Sequence, residues 1–84
     1  PAISFQVFCE TQEEIDRLWD ALTEGGREDM CGWCADRFGV SWQILPQDLP
    51  GLLCHPDDQA RTRVTAAMMG MRRFDLAALK AAAN

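Results

Sequence analysis

The stretch from Cys31 to Leu45 constrains this chain most. It reads Cys-Gly-Trp-Cys-Ala-Asp-Arg-Phe-Gly-Val-Ser-Trp-Gln-Ile-Leu and holds two of the three tryptophans and half of the cysteines. Asp36 to Gly39 is a turn, with glycine where a positive φ is needed. Val40 to Leu45 alternates apolar and polar over its first five residues, as a half-buried strand does. Val40, Trp42 and Ile44 are expected to face a core. Ser41 and Gln43 are expected to face the other way, toward solvent or a cleft.

The residues before this hairpin supply a strand and a helix. Ala2 to Cys9 reads as a strand, with Ile3, Phe5, Val7 and Cys9 on one face and Ala2, Ser4, Gln6 and Phe8 on the other. Thr11 and Glu14 form a capping box. Behind it Ile15, Leu18, Trp19 and Leu22 make one apolar stripe at helical spacing, and Gly25-Gly26 ends the helix. Arg27 to Met30 is short and polar, compatible with an edge strand, and Cys31 to Ala35 is the next strand. The order is βαβββ: a small sheet with one helix across one face and the other face open.

Pro46 and Pro50 break the strand pattern, and Gln47 to Cys54 reads as a short helical turn. A further helix is expected from about Pro56, with Asp57 and Asp58 at its positive end and a stripe of Ala60, Val64, Ala67, Met68 and Met71. Gly70 weakens its end. Asp75 caps a last helix carrying Leu76, Leu79 and Ala83. The predicted class is therefore α+β, with a βαβββ module over residues 1–45 and a C-terminal helical extension over 46–84 that must dock on something.

With 84 residues there is room for one small domain, which often needs a partner, metal or disulfides. Its 48% apolar and 25% charged residues are those of an ordered globular chain. A net charge of −5 argues against nucleic acid or an anionic membrane as the main partner. No apolar run approaches the roughly 18 residues that span a bilayer. Cys9, Cys31, Cys34 and Cys54 permit a disulfide framework in number, but the amphipathic helix, four methionines and alanine-rich tail do not suit a stapled scaffold. A reduced, cytoplasmic protein is expected. The chain starts at Pro1 with no secretory signal in view, so it either lacks its initiator Met or begins within a longer protein.

Several residues invite a particular chemistry. Cys31-Gly32-Trp33-Cys34 has the spacing of a thioredoxin-type redox pair, but a hairpin follows it where such a pair needs a helix N-terminus. A zinc site from Cys31, Cys34, Cys54 and His55 lacks the second pair of a ribbon or finger. Pro1 followed by a strand and helix is the layout of small tautomerases, whose general base is an N-terminal proline, although Thr11 stands where they usually carry arginine. His55 has no carboxylate or nucleophile beside it and suits a helix cap. The methionines at 68, 69 and 71 suit packing, as do Trp19 and Trp42, while Trp33 can line a cleft. Ser4, Gln6, Trp33, Ser41 and Gln43 are the candidate ligand-binding set, a floor of neutral donors and acceptors. The bland alternative is a solvated or partner-covered sheet face.

The segments Ile3 to Val7, Glu13 to Trp19, Cys31 to Trp33 and Asp36 to Ile44 resemble the PhnB-like branch of the glyoxalase/bleomycin-resistance (vicinal oxygen chelate) superfamily. The tail is similar through Ala66 to Met68 and Met71 to Asp75. That resemblance implies two βαβββ modules forming a cupped cleft, so this chain resembles a C-terminal half or a single-module relative that pairs with a second copy. It also implies a divalent metal held by His and Glu on facing strands. The matching positions fall near Ala2 and on Gln43, neither a good ligand, so no metal or other cofactor is expected. Members of the branch carry the label 3-demethylubiquinone-9 3-methyltransferase. No glycine-rich nucleotide loop follows a strand here, so the label is taken as a family name. The expected function is small-molecule binding in a cleft completed by a second module. The alternative is a structural half that only completes a dimer or partner barrel.

Overall fold

A computed structural model describes residues 3–84, so the positions of Pro1 and Ala2, and the tautomerase and metal-ligand expectations that fall on them, lie outside the described residues. The elements are β1 (Ser4–Cys9), α1 (Gln12–Thr23), β2 (Arg27–Glu28), β3 (Trp33–Ala35), β4 (Ser41–Pro46), α2 (Leu49–Leu53), α3 (Asp58–Met69) and α4 (Leu76–Ala83). The four strands form one mixed sheet in the order β1-β4-β3-β2. β4 runs parallel to β1, with Ser4 opposite Ser41, Gln6 opposite Gln43 and Phe8 opposite Leu45, and antiparallel to β3. The α+β class and the βαβββ order are those expected.

α1 starts where Thr11 accepts a hydrogen bond from the Glu14 amide at 3.2 Å, while the Glu14 carboxylate reaches back to the Glu10 amide at 3.4 Å. Its apolar stripe lies across one face of the sheet. Ile15 and Trp19 are fully buried there against Cys9, Cys34 and Ile44, with Val7, Leu18, Leu22 and Trp42 around them. Burying a side chain such as Ile15 contributes about 1.5–3 kcal/mol. The Trp19 indole donates to Glu28 at 3.2 Å, which satisfies its N–H and ties α1 to the outer strand. Val40 is half-buried, but it precedes β4 and is not among the residues packed in this core.

Three sequence expectations need correction. Cys31 and Gly32 are not in a strand: both have positive φ, 58° and 77°. Their amides donate to the carbonyls of Met71 and Arg72, both at 2.7 Å, so the tail holds the chain in this left-handed pair. Pro46 does not break β4 but ends it, fully buried and opposite Cys9. Its missing N–H falls on the β3 side, where β3 has already turned away at Gly32, while the next amide, Gln47, donates to Cys9 on the β1 side at 2.7 Å. The second face of the sheet is not wholly open either. Leu45 joins Leu49, Val64, Phe74 and Leu79 in a second core that brings the helical tail onto that end of the sheet.

The tail is fastened at named points. Asp57 and Asp75 cap α3 and α4 through the Gln59 and Ala78 amides, each at 3.0 Å. Gln12 of α1 donates to the Phe74 carbonyl at 2.9 Å and accepts from the Leu76 amide at 2.8 Å. Arg73 pairs with Asp16 and Asp20 of α1 at 3.3 and 2.7 Å. Among the described residues no helix is long and apolar enough to cross a membrane.

Candidate functional site

Strand alternation and register divide the uncovered face into two rows. Ser4, Ser41, Ala35 and Arg27 make one row, because Ser4 is opposite Ser41, Ser41 opposite Ala35, and Ala35 opposite Arg27. Gln6, Gln43 and Trp33 make the next, extended by Asp29, whose amide donates to the Trp33 carbonyl at 2.9 Å. A third row is Phe8 and Leu45, of which Leu45 packs against the tail and Phe8 stays exposed. α1 lies on the opposite face, so it does not cover these first two rows, in which Ala35 alone is buried.

All five candidate residues lie in those two rows. Gln6 and Gln43 are joined directly, the Gln6 Nε2 donating to Gln43 Oε1 at 2.8 Å. Gln43 Nε2 in turn donates to the Cys31 carbonyl at 3.0 Å. Ser4, Trp33 and Ser41 line a shallow pocket of about 250 Å³ together with Arg27, Asp29 and Ala35. Arg27 and Asp29 were not singled out from sequence. Their alternation in the edge segment was visible, but placing them beside Trp33 and Ser41 requires the strand order, which no local pattern reveals.

The hairpin that carries Ser41 and Gln43 is held by one carboxylate. Asp36 Oδ1 accepts from the amides of Phe38 and Val40 at 2.9 and 3.0 Å, and Oδ2 accepts from the Trp42 indole at 3.0 Å. The Trp42 bond is the main reason its pKa lies below the ordinary aspartate value; the two amides and Arg37 act in the same direction, against a desolvation cost. Trp42 also packs on Phe5 at 4.9 Å between ring centres.

Cys31 and Cys34 fall in different cores. Cys34 is buried under α1, Cys31 packs against the second core, and Cys54 is exposed; all four thiols are free. Burial raises the pKa of Cys34, with the Asp36 and Glu28 charges adding to it, and burial likewise raises Cys9. Cys31 and Cys34 therefore do not form a surface dithiol, which corrects the redox alternative. Among the described residues no three His, Cys, Asp or Glu side chains gather as an ion-binding group. His55 Nδ1 accepts from the Asp57 amide at 3.0 Å, a turn contact at the start of α3.

A divalent metal of the glyoxalase kind does not fit the residues present. Gln43, at the last-strand position, commits its oxygen to Gln6 and its nitrogen to Cys31, and a neutral amide oxygen is a weak ligand for such an ion. The remaining side chains of these rows offer hydroxyls, an amide, an indole and the guanidinium of Arg27, which stands on β2 at the opposite edge of the sheet from Gln6. Asp29 is the only carboxylate among them, and its Oδ1 accepts from the Met30 amide at 2.8 Å. What the floor can do chemically is donate and accept hydrogen bonds beside a flat aromatic face.

No curated protein matches the chain. A family model described as 3-demethylubiquinone-9 3-methyltransferase matches residues 1–45, which is the βαβββ module short only of the last residue of β4 and more than half of the 84 residues. The match and the strand order together mean that the chain belongs to this family, a PhnB-like branch of the glyoxalase superfamily.

Proposed function

We propose that the chain binds a small neutral molecule over Ser4, Gln6, Trp33, Ser41 and Gln43, in a cleft completed by a second βαβββ module. The observation that carries this is the Gln6–Gln43 amide pair, set on the sheet face that α1 leaves uncovered and next to the Trp33-lined pocket. Neutral donors and acceptors around an aromatic wall suit recognition and orientation of a ligand. Methyl transfer is not assigned, since the family description by itself supplies no catalytic group. Four free thiols support a reducing, cytoplasmic setting.

The second module is most simply a second copy. β1 is a six-residue strand at the sheet edge, with Phe5 and Phe8 exposed by 48% and 51% and Ile3, just before it, by 67%. The opposite edge, β2, has two residues, Arg27 and Glu28, and is protected by its shortness and charge. The same edge also favours a second reading, a structural half that pairs without binding anything.

Light scattering behind a size-exclusion column tests the pairing, with a dimer of twice 9.4 kDa expected. A well-folded 9.4 kDa monomer would sink the shared cleft. A fragment screen read in the side-chain amide signals of Gln6 and Gln43 tests the binding. Hits that move both signals and vanish in Gln43→Ala support a ligand floor; a stable dimer in which neither signal ever moves supports the structural half.

A further inference from the structure

The Gln6–Gln43–Cys31 contact has a direction that the chemistry of its last member forces. A backbone carbonyl has lone pairs and no proton, so the Cys31 oxygen can only accept. Gln43 must then turn its NH2 toward Cys31 and its Oε1 toward Gln6, and Gln6 must answer with its own NH2. The polarity of both amides is thereby fixed without reference to which end of either is nitrogen. The Cys31 carbonyl is itself held: its residue sits at φ 58°, with its amide donating to Met71 and the next amide donating to Arg72.

The relay leaves a defined set of groups unspent. Gln6 Oε1 has both lone pairs free of the relay, and each NH2 retains its second N–H. Trp33 stands opposite Gln43 in the register, which puts its indole in the same row, and it lines the neighbouring pocket. A carboxylate ligand cannot donate to Gln6 Oε1, and a divalent cation would meet a neutral amide oxygen. A planar ring that carries an N–H beside a C=O satisfies the acceptor, the donors and the indole face together.

Building on the ligand floor put forward above, we infer that the one-way amide relay from Gln6 through Gln43 to the Cys31 carbonyl selects a planar neutral heterocycle with adjacent N–H and C=O groups, a cyclic amide or ureide. The N–H is given to Gln6 Oε1, and the ring carbonyl takes a free amide proton.

Two measurements test it, one without any ligand. In Gln6→Glu, only the protonated carboxyl can donate to Gln43 Oε1, so the introduced group titrates above the roughly 4.3 of a free glutamate. The midpoint returns to that value when Gln43→Leu is added. A midpoint below it would mean that Gln43 donates toward position 6, and the relay direction would be overturned. For the ligand, 2-pyridone and 1-methyl-2-pyridone are titrated separately into the ¹⁵N-labelled wild-type chain. 2-Pyridone is expected to move the Gln6 and Gln43 amide signals and the Trp33 indole signal, with the N-methyl compound at least about tenfold weaker. Equal binding of the two would overturn the donor requirement and leave small-molecule binding standing. Failure of both to move any floor signal, with the position-6 midpoint still raised, would overturn the ligand class alone; a fragment screen that is also silent would remove the binding floor itself.

Discussion

Gly32→Ala is expected to be strongly destabilising, and its cost divides into two parts. The first is conformational. Gly32 has φ 77°, and an L-residue in the left-handed region costs about 1–2 kcal/mol. The second is steric. A Cβ at this position would stand 2.5 and 2.7 Å from Cε2 and Cδ2 of Phe74 and 2.8 Å from the Ile44 carbonyl oxygen. Phe74 is fully buried in the second core, so it cannot swing away freely, and overpacking of this kind costs about 1–3 kcal/mol more. Gly39→Ala isolates the first part, because Gly39 has φ 83° and nothing within 4 Å of an added Cβ. Urea unfolding followed by tryptophan fluorescence separates them. With a denaturant slope of about 1 kcal/mol/M for a small domain, Gly39→Ala lowers the midpoint by about 1–2 M and Gly32→Ala by about 1–3 M further. Should Gly32→Ala fail to fold, Phe74→Leu provides room, and the double variant is expected to be more stable than Gly32→Ala alone. Equal midpoints for the two alanine variants would refute the close packing of Phe74 on Gly32, and with it the docking of the tail at the head of β3.

Three other outcomes follow from the same geometry. The Asp36 pKa is lowered in the folded chain, so its contribution is complete above the ordinary aspartate value of 3.8 and is lost as pH falls through the lowered folded value; Asp36→Asn is expected to flatten that acid limb in urea midpoints measured between pH 6 and 2. Gln12→Ala removes the partners of the Phe74 carbonyl and the Leu76 amide and is expected to cost about 1–3 kcal/mol, with hydrogen exchange at Leu76 accelerated in the native state; unchanged exchange would deny the clasp. Thiol titration with an aromatic disulfide at pH 8 is expected to label Cys54 at once and Cys9 and Cys34 only on unfolding, and rapid labelling of Cys34 would contradict its burial beneath α1.

Local pattern was enough for the order of elements in the module. The Ile15–Leu22 stripe, the Thr11 cap and the Asp36–Gly39 turn are short-range signals, and each appears in the structure where its spacing puts it. Alternation also placed Ser4, Gln6, Ser41 and Gln43 on one face, because a period of two leaves no freedom once Trp42 and Ile44 go to the core. What was hidden depends on contacts made far along the chain. Cys31 reads as a strand residue, and its left-handed conformation is supported by carbonyls of Met71 and Arg72 about forty positions later. Pro46 reads as a breaker until β3 is known to turn away before reaching it. Arg27 and Asp29 join the floor only through the register of β2 and β3. The direction of the amide relay is hidden for the same reason, since it is decided by the carbonyl of Cys31, whose local pattern is that of a strand.

The Cys31–Gly32 pair is where the tail and the floor meet. One side of it receives the tail, through Met71, Arg72 and the Phe74 ring. The other side presents the Cys31 carbonyl to Gln43 and the Gly32 carbonyl to the Ile44 amide at 2.9 Å, fixing two adjacent residues of β4. A disturbance of the tail is therefore transmitted to the floor through backbone atoms, with no side chain of residues 46–84 touching Gln6 or Gln43 in the bonds described. Shortening the tail after Gly70 removes both carbonyl acceptors at once. Cys31 then has no reason to hold φ 58°, and Gln43 is free to turn its amide over. The floor would keep its composition and lose its polarity, so donor-bearing and donor-lacking ligands would bind alike. Retained discrimination between them in a folded, truncated chain would show that Gln43 is oriented by something other than the tail-held carbonyl.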